Sequence, residues 1–523
     1  MPRFGIAAAV MLAIVANAAD AVETIACPTD SGVPAGVAER LDTLLAAAVD
    51  AEGPLGVAFG AAPGAVLTLE APGWIYARAA GVADPDTGAP VTCAMPFQVG
   101  SNTKMITATV LMQLQEEGAL SLDDPLSAHL PEIAAALPDG AEITLRQLAN
   151  HTAGVFSYTD NAPDGSPGIM EGDLADPEAL RRGYTMPELV DFAIEHGEPS
   201  FAPGAEGQWS YSNTGYILLG MIVEAVEGRP IADVFQTRIF DPLGMEGTFY
   251  GMGVPTPDMG LPRAFVAVPF DVETTDWNLS QGAAAGAVIS TAEDMHVFIR
   301  ALLEGALFTS PDTLAEMMAT VPTGSPGISE YGMGLAEKLP GVWGHGGQTL
   351  GFQSEVVLFA DSDISLVGWG TSSQNIMGIA ATAVAAALVE AGLLPDPATS
   401  ATDALREGLV GPEWQLMTVF EASTSTQSSV DPDSYAITFA QDGAFSAQAD
   451  CNRVLGRWSL EGVDLSIAPG PVTRAACPPG SRSDDFIEWL AEVSSAQLDS
   501  DGGLILGSGD GEDLMLMQFE PAP

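Results

Sequence analysis

The chain has 523 residues, 47% of them hydrophobic, enough for more than one domain with its own core. Its net charge is −52, from 69 acidic against 17 basic residues. That balance excludes a surface that tracks nucleic acid, which needs clustered Lys and Arg, and it disfavours anionic membranes; it fits solubility in a salty, exposed setting.

Residues 1–21, MPRFGIAAAVMLAIVANAADA, combine a basic start at Arg3, an apolar run and small-residue cleavage sites. They read as a secretory signal peptide, too short to span a membrane, and predict a secreted or periplasmic protein. An exported chain with four cysteines points to disulfides. Cys27 and Cys93 lie near the front and Cys451 and Cys477 near the back, so each pair is expected to bridge within its own domain. No CxxC or adjacent His offers a zinc site.

An amphipathic helix is predicted over 35–50, followed by strands at 56–60, 65–70 and 74–81. The stretch FQVGSNTKMITATVLMQ, residues 97–113, opens a helix that is apolar all round and therefore buried. It holds Lys104, one of only two lysines in the chain; the other is Lys338. In a helix, Ser101 and Lys104 sit one turn apart on the same face. Ser101 is then at the positive end of the helix dipole, which favours an alkoxide. A serine hydroxyl needs a base to become a nucleophile. Arginine cannot be that base; a buried lysine can. S-x-x-K on its own is equally compatible with an N-cap serine and an unrelated lysine.

Further along, WSYSNTGYILLG places Tyr211 and Asn213 two residues apart, on one face if the segment is extended. A phenol near an amine can relay protons, and an Asn amide can hold a substrate carbonyl or the amine. Residues 290–305 predict a helix with a capping box, Ser290 with Glu293, and an apolar face of Met295, Phe298, Ile299 and Leu302. In GVWGHGGQTLGFQSE, His345 precedes Gly346 and Gly347, which would let a substrate approach the backbone. The Gln348 N–H could join that of Ser101 as an oxyanion hole. SEVVLFA and ISLVGWG form a predicted hairpin, and 375–392 a packing helix rather than a membrane span. Strands at both ends with helices between them predict an α/β (α+β) body, an antiparallel sheet covered by helices. The small, Pro-containing segment 395–411 reads as a linker to a tail at 412–523.

In the order S-x-x-K, Y-x-N, H-x-G, the body resembles the serine hydrolases that include class C β-lactamases and D-alanyl-D-alanine carboxypeptidases. LRQLANHTAGV, DPLGM and AAGAVISTAEDM are placed as in that family, and the resemblance spans about residues 35–395. It implies a hydrolase domain over 22–394, with Ser101 as acylated nucleophile and Lys104 as its proton acceptor. It implies Tyr211 as general base and acid, Asn213 on the acyl group, and Gly346, Gly347 and Gln348 beside the substrate. His345 stands where the β-lactamases carry the Lys of K-T-G, as in carboxypeptidase and esterase branches, which predicts poor β-lactam turnover. His151 is read as structural; His129, His196 and His296 have no catalytic context. The tail, with EWQLMTVF, the CN…G element at Cys451, Asn452 and Gly456, and a helix at 483–495, resembles the META domain. The expected function is an exported acyl-enzyme hydrolase. D-alanyl peptides lead as substrates, small carboxylic esters follow, and β-lactams come third. No metal or organic cofactor and no nucleic-acid partner is expected; a small-molecule or peptide substrate of cell-wall type is. The rival expectation is an idle receptor for cell-wall fragments, binding penicillin without turnover.

Overall fold

The computed structural model describes residues 23–34, 36–50, 61–176, 178–266, 272–325, 328–373 and 380–395, then 402, 405–423, 426–431, 433–462, 464–498, 503–509 and 514–522. The expected signal peptide and the strand expected at 56–60 lie outside them. The chain divides into two compact units between Leu393 and Leu394.

In the first unit the elements that position the site are α1 (Val37–Val49), β1 (Gly64–Ala71), β2 (Trp74–Asp84), α2 (Thr103–Glu116), α3 (Asn213–Glu227), α4 (Ala292–Leu303), β3 (Ala336–Leu339), β4 (Val342–Gln348), β5 (Gln353–Phe359), β6 (Ile364–Gly370) and α5 (Ala380–Glu390). The sheet is antiparallel and runs β2–β1–β6–β5–β4–β3. Thr24–Ala26 extends it beyond β2, and Ile328–Tyr331 and Val321–Ser325 beyond β3. Every residue of β6 is buried, because ISLVGWG is apolar or small throughout and both faces are covered. Helices α1, α4 and α5 pack on this sheet through β1, β2, β5 and β6. In α1 the 3.6-residue period puts Val37, Leu41, Leu44, Leu45 and Ala48 on the buried stripe.

Helix α4 buries Met295, Phe298, Ile299 and Leu302 as its pattern predicts, but its start differs. Thr291 is the N-cap, accepting from the Asp294 N–H; Ser290 is not. Ser290 ends a strand paired with Phe97, and its hydroxyl bonds that of Thr248. Strand pairing holds Ser290 extended one residue too early to cap. His296 on α4 bonds Thr68 and Ser365, tying the helix to β1 and β6.

Helix α2 runs through the centre of the unit. All residues from Thr103 to Met112 are buried. Buried side chains such as Met105, Ile106 and Leu111 contribute about 1.5–3 kcal/mol each, so this helix is anchored along its length.

The second unit is an antiparallel sheet with a helix at Ser483–Glu492, around a core of Trp414, Phe445, Trp458, Phe486 and Phe519. Leu405 and Leu409 belong to that core, so the stretch read as linker is packed structure at its C-terminal end. Both expected disulfides are formed, Cys27–Cys93 and Cys451–Cys477. Next to the second, Asn452 accepts from the Ala475 N–H and donates to Ser483.

Candidate active site

A single 3-10 turn, Gly100–Asn102, leads β-structure at Phe97–Gln98 into α2 and carries Ser101. Gly100 has φ +54°, and a Cβ there would come within 2.7 Å of the Gln348 nitrogen. Only glycine lets the end of β4 close against the residue before Ser101. The other side of this seam is Gly347: a Cβ there would collide with the Val99 carbonyl oxygen and stand 2.7 Å from Asn102 Nδ2. Gly346 faces the opposite way, where a Cβ would stand 3.2 Å from Glu355 Oε2 and 3.3 Å from Lys338 Nζ. Both glycines admit neighbouring protein at these positions.

One turn beyond Ser101, at the start of α2, Lys104 is fully buried. Its Nζ lies 2.7 Å from Asn213 Oδ1, 2.9 Å from the Ala285 carbonyl oxygen and 3.1 Å from Ser101 Oγ. Burial holds the amine well below its ordinary range. A neutral amine has two N–H groups and one lone pair. The Ala285 carbonyl can only accept. The Asn213 oxygen can only accept as well, and its assignment is fixed because the Nδ2 donates to Thr159 at 2.9 Å. In its neutral form the amine would give both N–H groups to those two acceptors and keep its lone pair for the Ser101 hydroxyl.

Asn213 is not on an extended strand with Tyr211. Ser212 is extended, at φ −136° and ψ 117°, and caps α3, with its hydroxyl accepting from the Gly215 N–H; Asn213 is the first helical residue. The cap turns the chain so that Asn213 reaches Lys104 by its amide and Tyr211 by its ring, whose centroid is 4.9 Å from Nζ. Tyr211 is half-buried. Burial raises its phenol above the usual range, and a hydrogen bond with Ser101 works in the other direction.

His345 does not reach Ser101 with either ring nitrogen. Its Nδ1 is 2.5 Å from the Gly346 carbonyl, an acceptor, so Nδ1 carries the proton. Nε2 then accepts from the Tyr331 hydroxyl at 2.9 Å. Burial pushes this imidazole down to about 3. His345 is thus a neutral, doubly bonded group.

Sequence reasoning missed four contributors. Tyr331 bonds His345, and the Ala285 carbonyl orients Lys104. Lys338 and Glu355 form an ion pair at 2.5 Å behind Gly346, with the Glu355 side chain fully buried. His151, read only as structural, lies against the Tyr211 ring at 4.3 Å and accepts from the Ser212 N–H. Only Lys338 had a signal, its rarity.

The β-lactamase family model matches residues 55–391, and the META domain model matches 407–520. The D-stereospecific amidohydrolase of a Streptomyces species superposes with a TM-score of 0.57 at 33% identity, over 69% of this chain and 99% of that one. The D-amino acid amidase of Ochrobactrum anthropi SV3, complexed with L-phenylalanine amide, superposes with a TM-score of 0.57 at 28% identity, over 68% and 98%. Esterase EstB of Burkholderia gladioli is 35% identical over 33% of this chain and 42% of its own length. The D-alanyl-D-alanine-carboxypeptidase/endopeptidase AmpH of Escherichia coli is 31% identical over 31% and 37%. The chain spans less than two thirds of the length of these curated relatives. With nearly two thirds of its residues under the family model and a full-length structural match to an amidohydrolase, the chain belongs to the β-lactamase family of serine hydrolases.

Proposed function

We propose that the protein is an exported hydrolase that cleaves acyl amides and esters, of the D-alanyl peptide and small-ester kind, through an acyl-enzyme at Ser101. The single observation that carries this reading is the hydrogen bonding of Lys104, whose lone pair is the one site left to receive the Ser101 proton. Ser101 Oγ attacks the substrate carbonyl and its proton passes to Lys104. The Ser101 and Gln348 N–H groups, brought together by Gly100, receive the oxyanion. The protonated phenol of Tyr211 donates to the departing nitrogen or oxygen as that bond breaks. The resulting phenolate then takes a proton from water, whose oxygen attacks the acyl ester. Ser101 leaves with the proton held on Lys104, and every group is reset. Two titratable groups pushed in opposite directions by burial, an amine kept neutral and a phenol kept protonated, support this division of acid and base.

Export is supported by the signal-like start of the sequence and by two disulfides, which persist in oxidising compartments. Among the described residues no helix is long and apolar enough to cross a membrane. The test is a fluorophosphonate probe: it should label the full chain at Ser101 and fail on Ser101→Ala. A folded protein that resists the probe and turns over no ester or D-alanyl peptide would instead be a receptor.

A further inference from the structure

The leaving-group side of the substrate is constrained by where the cations are. Residues 23–395 contain eleven Lys and Arg, all of them described. Nine are ion-paired with carboxylates. Lys338, nearest the H-G-G strand, is one of these; Glu355 holds it at 2.5 and 2.7 Å. The remaining two are Lys104, whose Nζ is engaged by Asn213, the Ala285 carbonyl and Ser101, and Arg182. The Arg182 guanidinium lies 4.5 Å over the ring of Tyr184, whose hydroxyl bonds Asp173 and not the Lys104 cluster.

The H-G-G strand offers no substitute. K-T-G supplies an ammonium and a hydroxyl. Here the first position is His345, with Nδ1 donating to Gly346 and Nε2 accepting from Tyr331. Burial keeps that ring uncharged. The second position is Gly346, with no side-chain donor at all. A carboxylate entering this side would lose its hydration and gain no charged partner.

Resting on the acyl-enzyme reading above, we propose that the site selects substrates whose leaving group is uncharged, such as neutral amides, anilides and esters, and rejects those carrying a carboxylate beside the scissile bond. The preferred peptide ends would then be amidated or internal rather than free D-alanyl carboxylates.

The test compares 4-carbamoylphenyl acetate with 4-carboxyphenyl acetate, which share acyl group and shape and differ in charge. A dipeptide ending in D-alanine and its C-terminal amide form a second pair. All are assayed with the full chain at about 0.5 M salt, where a Debye length of about 4 Å screens the net charge of the whole molecule. The neutral member should have a kcat/KM at least about 30-fold higher, and Arg182→Gln should leave that ratio unchanged. Equal rates, a preference for the carboxylate, a gap that closes with salt, or a ratio that widens in Arg182→Gln would overturn the inference while leaving the hydrolase intact. If Ser101 is labelled but neither ester turns over, the same pair is read as competitors of labelling, and equal protection overturns it. No turnover and no labelling would overturn the hydrolase reading and this inference with it.

Discussion

The role proposed for Lys104 requires a nitrogen that can be left without a third proton. An arginine in its place would bring a permanent charge and five donors to a pocket with two committed acceptors. Lys104→Arg should therefore lose at least about 1,000-fold in acylation rate by the fluorophosphonate probe, with an unchanged far-UV spectrum. Near-normal labelling of a folded Lys104→Arg would remove the proton-acceptor assignment. The pH profile of the native protein tests the same point. Because burial lowers the amine and raises the phenol, the acid limb of kcat/KM, set as Lys104 gains a proton, should lie below the range of an ordinary lysine, and activity should hold well into the alkaline range. His151 packs one step back, against the Tyr211 ring.

The proposed site depends on β4 lying closer to the turn that carries Ser101 than side chains normally allow. Gly347→Ala should force β4 away from Val99 and carry the Gln348 N–H out of reach, costing about 100-fold or more in acylation. Gly346→Ala meets only the far ends of Glu355 and Lys338 at 3.2–3.3 Å and should cost less than 10-fold, so equal losses would refute this account of the seam. Behind that strand, Lys338→Met would leave Glu355 as an unpaired buried charge. It should destabilise the first unit by about 3–5 kcal/mol in chemical denaturation, while Lys338→Met with Glu355→Leu recovers most of that loss. The proximity of Ser101 and Lys104 was legible because one helical turn separates them, whereas the Lys104–Asn213 contact joins residues 109 apart and is set by packing. The Glu355 pair and the Tyr331–His345 bond were not legible. Each depends on sheet register, Gly346 opposite Glu355 and Tyr331 two strands away, which no local spacing encodes. The capping position of α4 and the helical start at Asn213 misled for the same kind of reason, since a one-residue shift between strand and helix decides which side chain caps.

The molecule as a whole carries two sources of conditional stability. Three buried histidines are held neutral: His296 and His345, both pushed down to about 3, and His151, well below its usual range. The unfolded chain binds protons on these residues below about pH 6.5 and the folded chain does not, so stability falls as pH drops from 6.5 toward 3. Each contributes up to about 1.4 kcal/mol per pH unit, and His296→Gln, distant from the chemistry, should flatten the slope by about that amount in denaturation at pH 6 and 5. The second source is confined to the second unit. Cys451 and Cys477 are 26 residues apart, and closing a loop of that length contributes roughly 3–4 kcal/mol through the unfolded state. The residues proposed for catalysis, from Ser101 to Gln348, precede the division at Leu393, and the second unit has a core of its own. Replacing both cysteines by serine should therefore lower one of two calorimetric transitions and leave the acylation rate at Ser101 unchanged. A chain ending at Leu393 should acylate as the full chain does. If the cysteine variant shifts both transitions together, or if the shortened chain folds without accepting the probe, then the second unit completes the first, and the division seen along the backbone is not a division of function.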